Sequence, residues 1–115
     1  MIREDIGWLE SQFQYSTRHG IALPCLTDDW EALCLDKQTA VLAKWEMIRG
    51  NIPEHIIRFE ITIREKTQRM FNEDDFVETC RINDDIADLA SIINDLNIWF
   101  RTQQDLDGHA KRHSG

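Results

Sequence analysis

The sequence predicts an all-α protein, an antiparallel helical bundle built on one long helical hairpin. Three observations carry that prediction. Between Ile82 and Phe100 the apolar residues recur with spacings that alternate four and three, which is the period of a helix face. The 115 residues include only 5 Gly and 2 Pro, too few for a turn-rich β fold. No alternating run of β-branched residues is bounded by turn signals, so strands are not expected.

The stretch Asn72 to Leu106 organises the rest. Ile82, Ile86, Leu89, Ile93, Leu96 and Phe100 form a heptad, coiled-coil-like seam on one face. Ile92 and Trp99 make a second stripe roughly 100° away, and Ala90 lies on the other flank. An apolar arc that wide calls for partners on two sides. Asn72 suits an N-cap, and Glu73, Asp74 and Asp75 would then lie in the first turn, where the helix dipole favours negative charge. Gly108 marks the expected stop. At ~1.5 Å per residue the rod is on the order of 50 Å long. A compact monomer of this size has a radius of gyration of roughly 13 Å, so part of the rod is expected to meet a second copy.

The preceding elements follow in chain order. Ile2, Ile6, Leu9 and Phe13 repeat the four-three spacing, with Trp8 and Tyr15 beside them, and predict a helix over 2–18 that ends at His19-Gly20. Pro24 makes the next segment a non-helical connector. Thr27 is expected to cap the following helix, and Asp36 could cap again. Either one helix runs over 28–49, or a short turn precedes 37–49. Val41, Trp45 and Ile48 form its stripe, with Leu42 on the flank. Gly50-Asn51-Ile52-Pro53 is the clearest punctuation in the chain. Over 53–71, Ile56, Phe59, Ile63 and Met70 share one face, and Ile57 and Ile61 form a second stripe. A short joint at Asn72 makes this helix the antiparallel neighbour of the long one, with Arg58 near the level of Asp85 and Lys66 near Glu78. The expected organisation is one helical domain over 1–106, with the N-terminal helices on the 53–71/73–106 hairpin, and a flexible tail over 107–115.

Charge narrows the function classes. The net charge is −8, and residues 73 to 95 hold Glu73, Asp74, Asp75, Glu78, Asp84, Asp85, Asp88 and Asp95 against Arg81 alone. A nucleic-acid or anionic-membrane binder needs a basic footprint, so neither partner is expected. No apolar run is long enough for a transmembrane helix or a signal-peptide core. With three irregularly spaced Cys, this leads to the expectation of a reduced, cytoplasmic setting. Cys34 and Cys80 are expected to be buried small apolar residues. No Gly-rich phosphate loop, zinc spacing or nucleophile set is legible, and no cofactor is expected.

Asp84, Asp85 and Asp88 stand in NDDIADL. This segment locally resembles the E-x-x-D helix of the all-α nucleotide pyrophosphohydrolases (the MazG-like group), in which acids on two helices bind Mg²⁺. The resemblance covers about seven residues and implies Asp85 and Asp88 as metal ligands. The E-x-x-E set which that family carries on the preceding helix has no counterpart, because Glu54, Glu60 and Glu65 are spaced differently. The residues themselves read as a solvated or salt-bridged helix face.

Ile98, Trp99 and Phe100 are consecutive, and one packing partner cannot cover three successive helix positions. Ile92, Ile98 and Trp99 are therefore the expected interface of a homodimer along the long helix. The favoured function is a small interaction or regulatory protein, more a binder than an enzyme. A metal-dependent nucleotide hydrolase is the alternative, and an acidic nucleic-acid mimic the second alternative.

Overall fold

The computed structural model describes residues 3–113, with side chains described over 5–101. The chain divides into two compact units, Met1–Asn51 and Ile52–Gly115. The first holds helix α1 (Arg3–Ser11), strands β1 (Phe13–Ser16) and β2 (Ile21–Pro24), a 3-10 turn at Trp30–Ala32 and helix α2 (Leu35–Gly50). The second is α3 (Ile52–Phe71) and α4 (Phe76–His113). The protein is mainly helical, as the periodicity predicts. Among the described residues no helix is long and apolar enough to cross a membrane.

The N-terminal unit departs from expectation, because the helix predicted over 2–18 ends at Ser11. β1 and β2 then pair antiparallel, from Phe13 against Pro24 to Ser16 against Ile21. Residues 17–20 close this hairpin, and Gly20, at φ 75°, takes the left-handed conformation open to glycine. Its N–H donates to the Ser16 carbonyl at 2.8 Å. The Ser16 hydroxyl lies 2.7 Å from His19 Nδ1 and accepts the His19 N–H at 3.3 Å. Gly20 is thus the hinge of a β-hairpin, where the helix reading made it a helix stop.

Gln12 explains the break. It is buried to 1% exposure, and it stands where the helix gives way to the strand. Its Oε1 accepts the Thr27 N–H at 3.0 Å and the Thr27 hydroxyl at 3.2 Å. Its Nε2 donates to the Trp8 carbonyl at 3.3 Å and to Ser11 Oγ at 2.9 Å. Its own carbonyl accepts the Cys25 N–H at 2.7 Å. A buried amide must find partners on both ends, and this one finds them by stapling the end of α1 to the segment after β2. Thr27 is therefore a partner of Gln12 and does not cap a helix.

The second of the two alternatives at 28–49 holds, a short turn before the helix. Cys34 occupies the N-cap of α2 without a side-chain cap bond, in place of the expected Asp36. Gln38 Nε2 donates to the Trp30 carbonyl at 2.9 Å and ties the 3-10 turn to α2. Val41 is buried, Trp45 and Ile48 are half-buried and Leu42 is exposed, which is the predicted stripe. Lys37 Nζ sits 4.7 Å from the Trp8 ring centre, and Lys44 Nζ sits 5.3 Å from that of Phe13. These cation–π contacts join α2 to α1 and β1.

In the second unit α3 packs against α4. Lys66 Nζ donates to Asp85 Oδ2 at 3.2 Å, and Arg69 pairs with Glu78 at 3.5 Å. Moving toward the joint on α3 thus moves back toward the joint on α4, so the helices are antiparallel. The register differs from the expected one, in which Lys66 met Glu78 and Arg58 met Asp85. The reason is the cap. Asn72 lies in the turn and residues 73–75 lie outside the helix. Asp75 takes the cap position, its Oδ1 accepting the Val77 N–H at 3.3 Å and its carbonyl the Thr79 N–H at 2.9 Å. Glu73 Oε1 accepts the Asp75 N–H at 3.1 Å and orders the joint.

The predicted seam of α4 faces inward. Ile82 and Leu96 are completely buried, and Ile86, Leu89, Ile93 and Phe100 are at least half-buried. The bounds of α4 run past Gly108 to His113. The flexible tail expected over 107–115 falls beyond the residues whose side chains are described.

Candidate functional site

The acid run on α4 meets cations at its N-terminal end. Glu78 hydrogen-bonds Arg81 through both carboxylate oxygens, one of them to Arg81 Nε at 3.0 Å. Arg81 also reaches Asp85 Oδ2 at 3.4 Å, and Lys66 shares that oxygen. Arg69 completes the chain at Glu78. Lys66, Arg69, Glu78, Arg81 and Asp85 thus form one network along the α3–α4 seam.

The hydrogen bonds from Arg81 hold the Glu78 carboxyl below the usual carboxylate range. Desolvation works against this, and the charges of Arg81, Arg69 and Lys66 add to the lowering. A carboxyl with a lower pKa folded than unfolded contributes stability above its unfolded value, about 4.3. That contribution is lost as pH falls through the folded value. The melting temperature of the parent is therefore expected to exceed that of Glu78→Gln at neutral pH. The gap should close as pH falls below about 4, in thermal melts followed by circular dichroism. A gap that persists unchanged at the acid end would contradict the assignment.

Asp85 and Asp88 are the residues implied as metal ligands. Asp85 is half-buried between Lys66 and Arg81, and Asp88 is exposed. Among the described residues no group of three or more His, Cys, Asp or Glu side chains is placed to hold a metal ion. Glu54 and Glu60, on α3, are exposed.

Cys34 and Cys80 are both exposed, which corrects the expectation that they are core residues. Cys34 is exposed at the cap of α2. Cys80 precedes the buried Ile82 by two positions, which turns it roughly 200° away from the seam. Cys25 is exposed as well. All four Trp side chains, Trp8, Trp30, Trp45 and Trp99, are half-buried.

The expected interface residues fare differently from one another. Ile92 is buried within the single chain at 5% exposure. It follows Asp85 by seven residues, close to two turns, so it lies on the line of α4 that carries the ion pairs to α3. The second stripe of α4 therefore turns toward its own hairpin partner. Trp99, seven further on, is half-buried on the same line, and Ile98 is 43% exposed.

The apolar surface that remains open lies elsewhere, and sequence reasoning missed most of it. At the hairpin joint Phe71 and Phe76 are each 78% exposed and Val77 is 74% exposed, bracketing Glu73, Asp74 and Asp75. On α3, Ile57 and Ile61 are exposed one turn apart. In the N-terminal unit a shallow groove between α1 and α2 is lined by Leu9, Ala40, Ala43, Lys44, Met47 and Ile48. A signal for the joint was present. Met70-Phe71 and Phe76-Val77 are adjacent apolar pairs at helix ends, and both members of such a pair cannot face one partner.

No family model, curated protein or solved structure matches the chain.

Proposed function

We propose that this protein works by binding another protein, with the joint of the α3–α4 hairpin as the contact. The observation that supports this is the tip itself, where Phe71, Phe76 and Val77 are exposed beside an acidic loop. Exposed aromatic anchors in a cluster are what interface centres use. The hydrogen bonds that the Glu73 and Asp75 carboxylates accept order the loop before any partner arrives, which lowers the entropy lost on binding. Glu73, Asp74 and Asp75 repel a second acidic tip and an anionic lipid surface alike. The partner that fits is a protein with an apolar pocket rimmed by Lys or Arg. The cytoplasmic, regulatory role expected from composition is compatible with this reading. The metal-hydrolase alternative lacks a converging acid set among the described residues.

The test is selection of a random displayed-peptide library on the parent protein, counter-selected on Phe71→Ser/Phe76→Ser. Both positions are exposed, so the variant keeps its fold and its charge. Enriched peptides are expected to combine apolar residues with Lys or Arg and to bind the variant at least about tenfold more weakly, as hot-spot loss implies. Enrichment of nothing, or of peptides that bind the variant equally, would sink the proposal.

A further inference from the structure

We infer that the open edge of β1 pairs with β1 of a second copy, joining two hairpins into one four-stranded antiparallel sheet. The register of the hairpin determines which backbone groups can do so. The Cys25 N–H donates to the Gln12 carbonyl, and β1 and β2 keep that register from Phe13 against Pro24 to Ser16 against Ile21. In an antiparallel ladder, hydrogen-bonded pairs alternate with non-bonded ones. Gln12, Gln14 and Ser16 therefore bond across to the β2 side, and the N–H and C=O of Phe13 and Tyr15 point outward. Among the described residues these groups meet no hydrogen-bond partner within the chain. Gln14 and Tyr15 point to opposite faces of the strand and both are exposed, Tyr15 to 63%, so β1 is uncovered on both faces at this level. On β2, by contrast, Ile21 is buried and Ala22 and Leu23 are half-buried.

An extended backbone is what offers donors and acceptors at the spacing of Phe13 and Tyr15, and β1 itself is a strand that matches. Place two β1 strands antiparallel about a two-fold axis normal to the sheet, at Gln14. Phe13 of each copy then exchanges both backbone hydrogen bonds with Tyr15 of the other. An axis at Phe13 or at Tyr15 gives only one such exchange, because Ser11 is helical and Thr17 lies in the turn. This axis keeps each face of the sheet on its own side, so Phe13 stands against Tyr15 and Gln14 against Gln14. Aromatic pairs across strands are favourable, and a side-chain amide both donates and accepts. The strand, FQYS, carries no charge to oppose itself and no proline. Pro24 blunts the β2 edge, since it stands in a non-bonded pair where an N–H would point outward. With one edge open and the other blunted, pairing ends in a closed dimer and not in a growing sheet. This association does not use the α3–α4 joint.

The experiment is sedimentation equilibrium over rising concentration on the full chain, three variants and a mixture, with circular dichroism as the check on folding. The parent is expected to reach twice its 13.5 kDa mass and to stop there. Gln14→Lys and Gln14→Glu are changes at an exposed position, and each sets like charges directly opposite at the axis, so each should weaken self-association several-fold. Mixed together they set opposite charges there, and the mixture should regain the double mass. Tyr15→Pro removes an outward N–H from each copy while leaving the bonded pairs of the β1–β2 ladder in place, and should weaken self-association about tenfold or more. A parent that stays at 13.5 kDa throughout or grows beyond the double mass would overturn the inference. So would a dimer indifferent to these substitutions, or a mixture no heavier than its parts. Self-association lost on Phe71→Ser/Phe76→Ser but kept on Tyr15→Pro would place the contact at the hairpin tip and overturn it as well.

Discussion

Leu96→Ala is expected to destabilise the α3–α4 hairpin by about 2–5 kcal/mol, the range for truncating a fully buried leucine. Leu96 has no exposed surface, and it shares the α4 seam with Ile82, Ile86, Leu89 and Ile93. Its methyl groups leave a cavity that two packed helices cannot close without shifting along each other. The ion pairs of Lys66 and Arg69 resist that shift. Single domains are stable by only about 5–15 kcal/mol, so this one change removes a large share. Ile98→Ala, two residues on and outside the seam, should cost less than about 1 kcal/mol. Urea midpoints for the two variants, read against the parent, make the comparison. Equal losses would mean that the seam does not form the core of the hairpin.

Gln12→Leu is expected to lower stability by about 1–3 kcal/mol, although it puts a more apolar side chain into a buried place. The substitution removes an acceptor shared by the N–H and hydroxyl of Thr27, and a donor to the Trp8 carbonyl. The Thr27 N–H and the Trp8 carbonyl then lose the buried amide that joined them, and the loss of that staple sets the size of the effect. Thr27→Val keeps the N–H bond and loses only the hydroxyl contact, so its cost should stay below about 1 kcal/mol. A thermal melt followed by near-ultraviolet circular dichroism in a Trp99→Phe background, which leaves only the Trp residues of the first unit (Trp8, Trp30 and Trp45), would report on that unit. If Gln12→Leu melts with the parent, the stapling role assigned to Gln12 is wrong.

What the sequence made legible was long-range periodicity. The α4 seam, the Val41-Trp45-Ile48 stripe, the Gly50–Pro53 break and the short joint to α4 all emerge where the pattern lasts for several turns. The β-hairpin did not, because strands of four residues carry too little alternation to be told from the end of a helix. Phe13 also continued the Ile2-Ile6-Leu9 spacing and so extended the apparent helix across the break. Only Gln12, a buried polar residue tied to Thr27 and Cys25 across the hairpin, marks that boundary, and those distant partners are invisible before folding. The hairpin register shifted for a local reason. Asn72 and Asp75 are both good caps, and choosing between them moves every α4 residue relative to α3. The same choice determines that residues 73–75 form a loop, and so leaves Phe71 and Phe76 flanking an exposed tip. The burial of Ile92 within the chain has a related origin. A wide apolar arc tells that two sides are covered, but not which of them the chain covers itself.

The claim that this is a protein built to associate, and not a metal-dependent hydrolase, is tested most directly by one thermal melt. It is recorded with and without millimolar Mg²⁺, and with and without a peptide enriched on the parent protein. A ligand bound only by the folded chain at 100 times its dissociation constant adds about 2.7 kcal/mol. The account predicts that rise with the peptide, and no displacement of the curve by Mg²⁺. A melting temperature raised by Mg²⁺ and indifferent to the peptide would contradict the account.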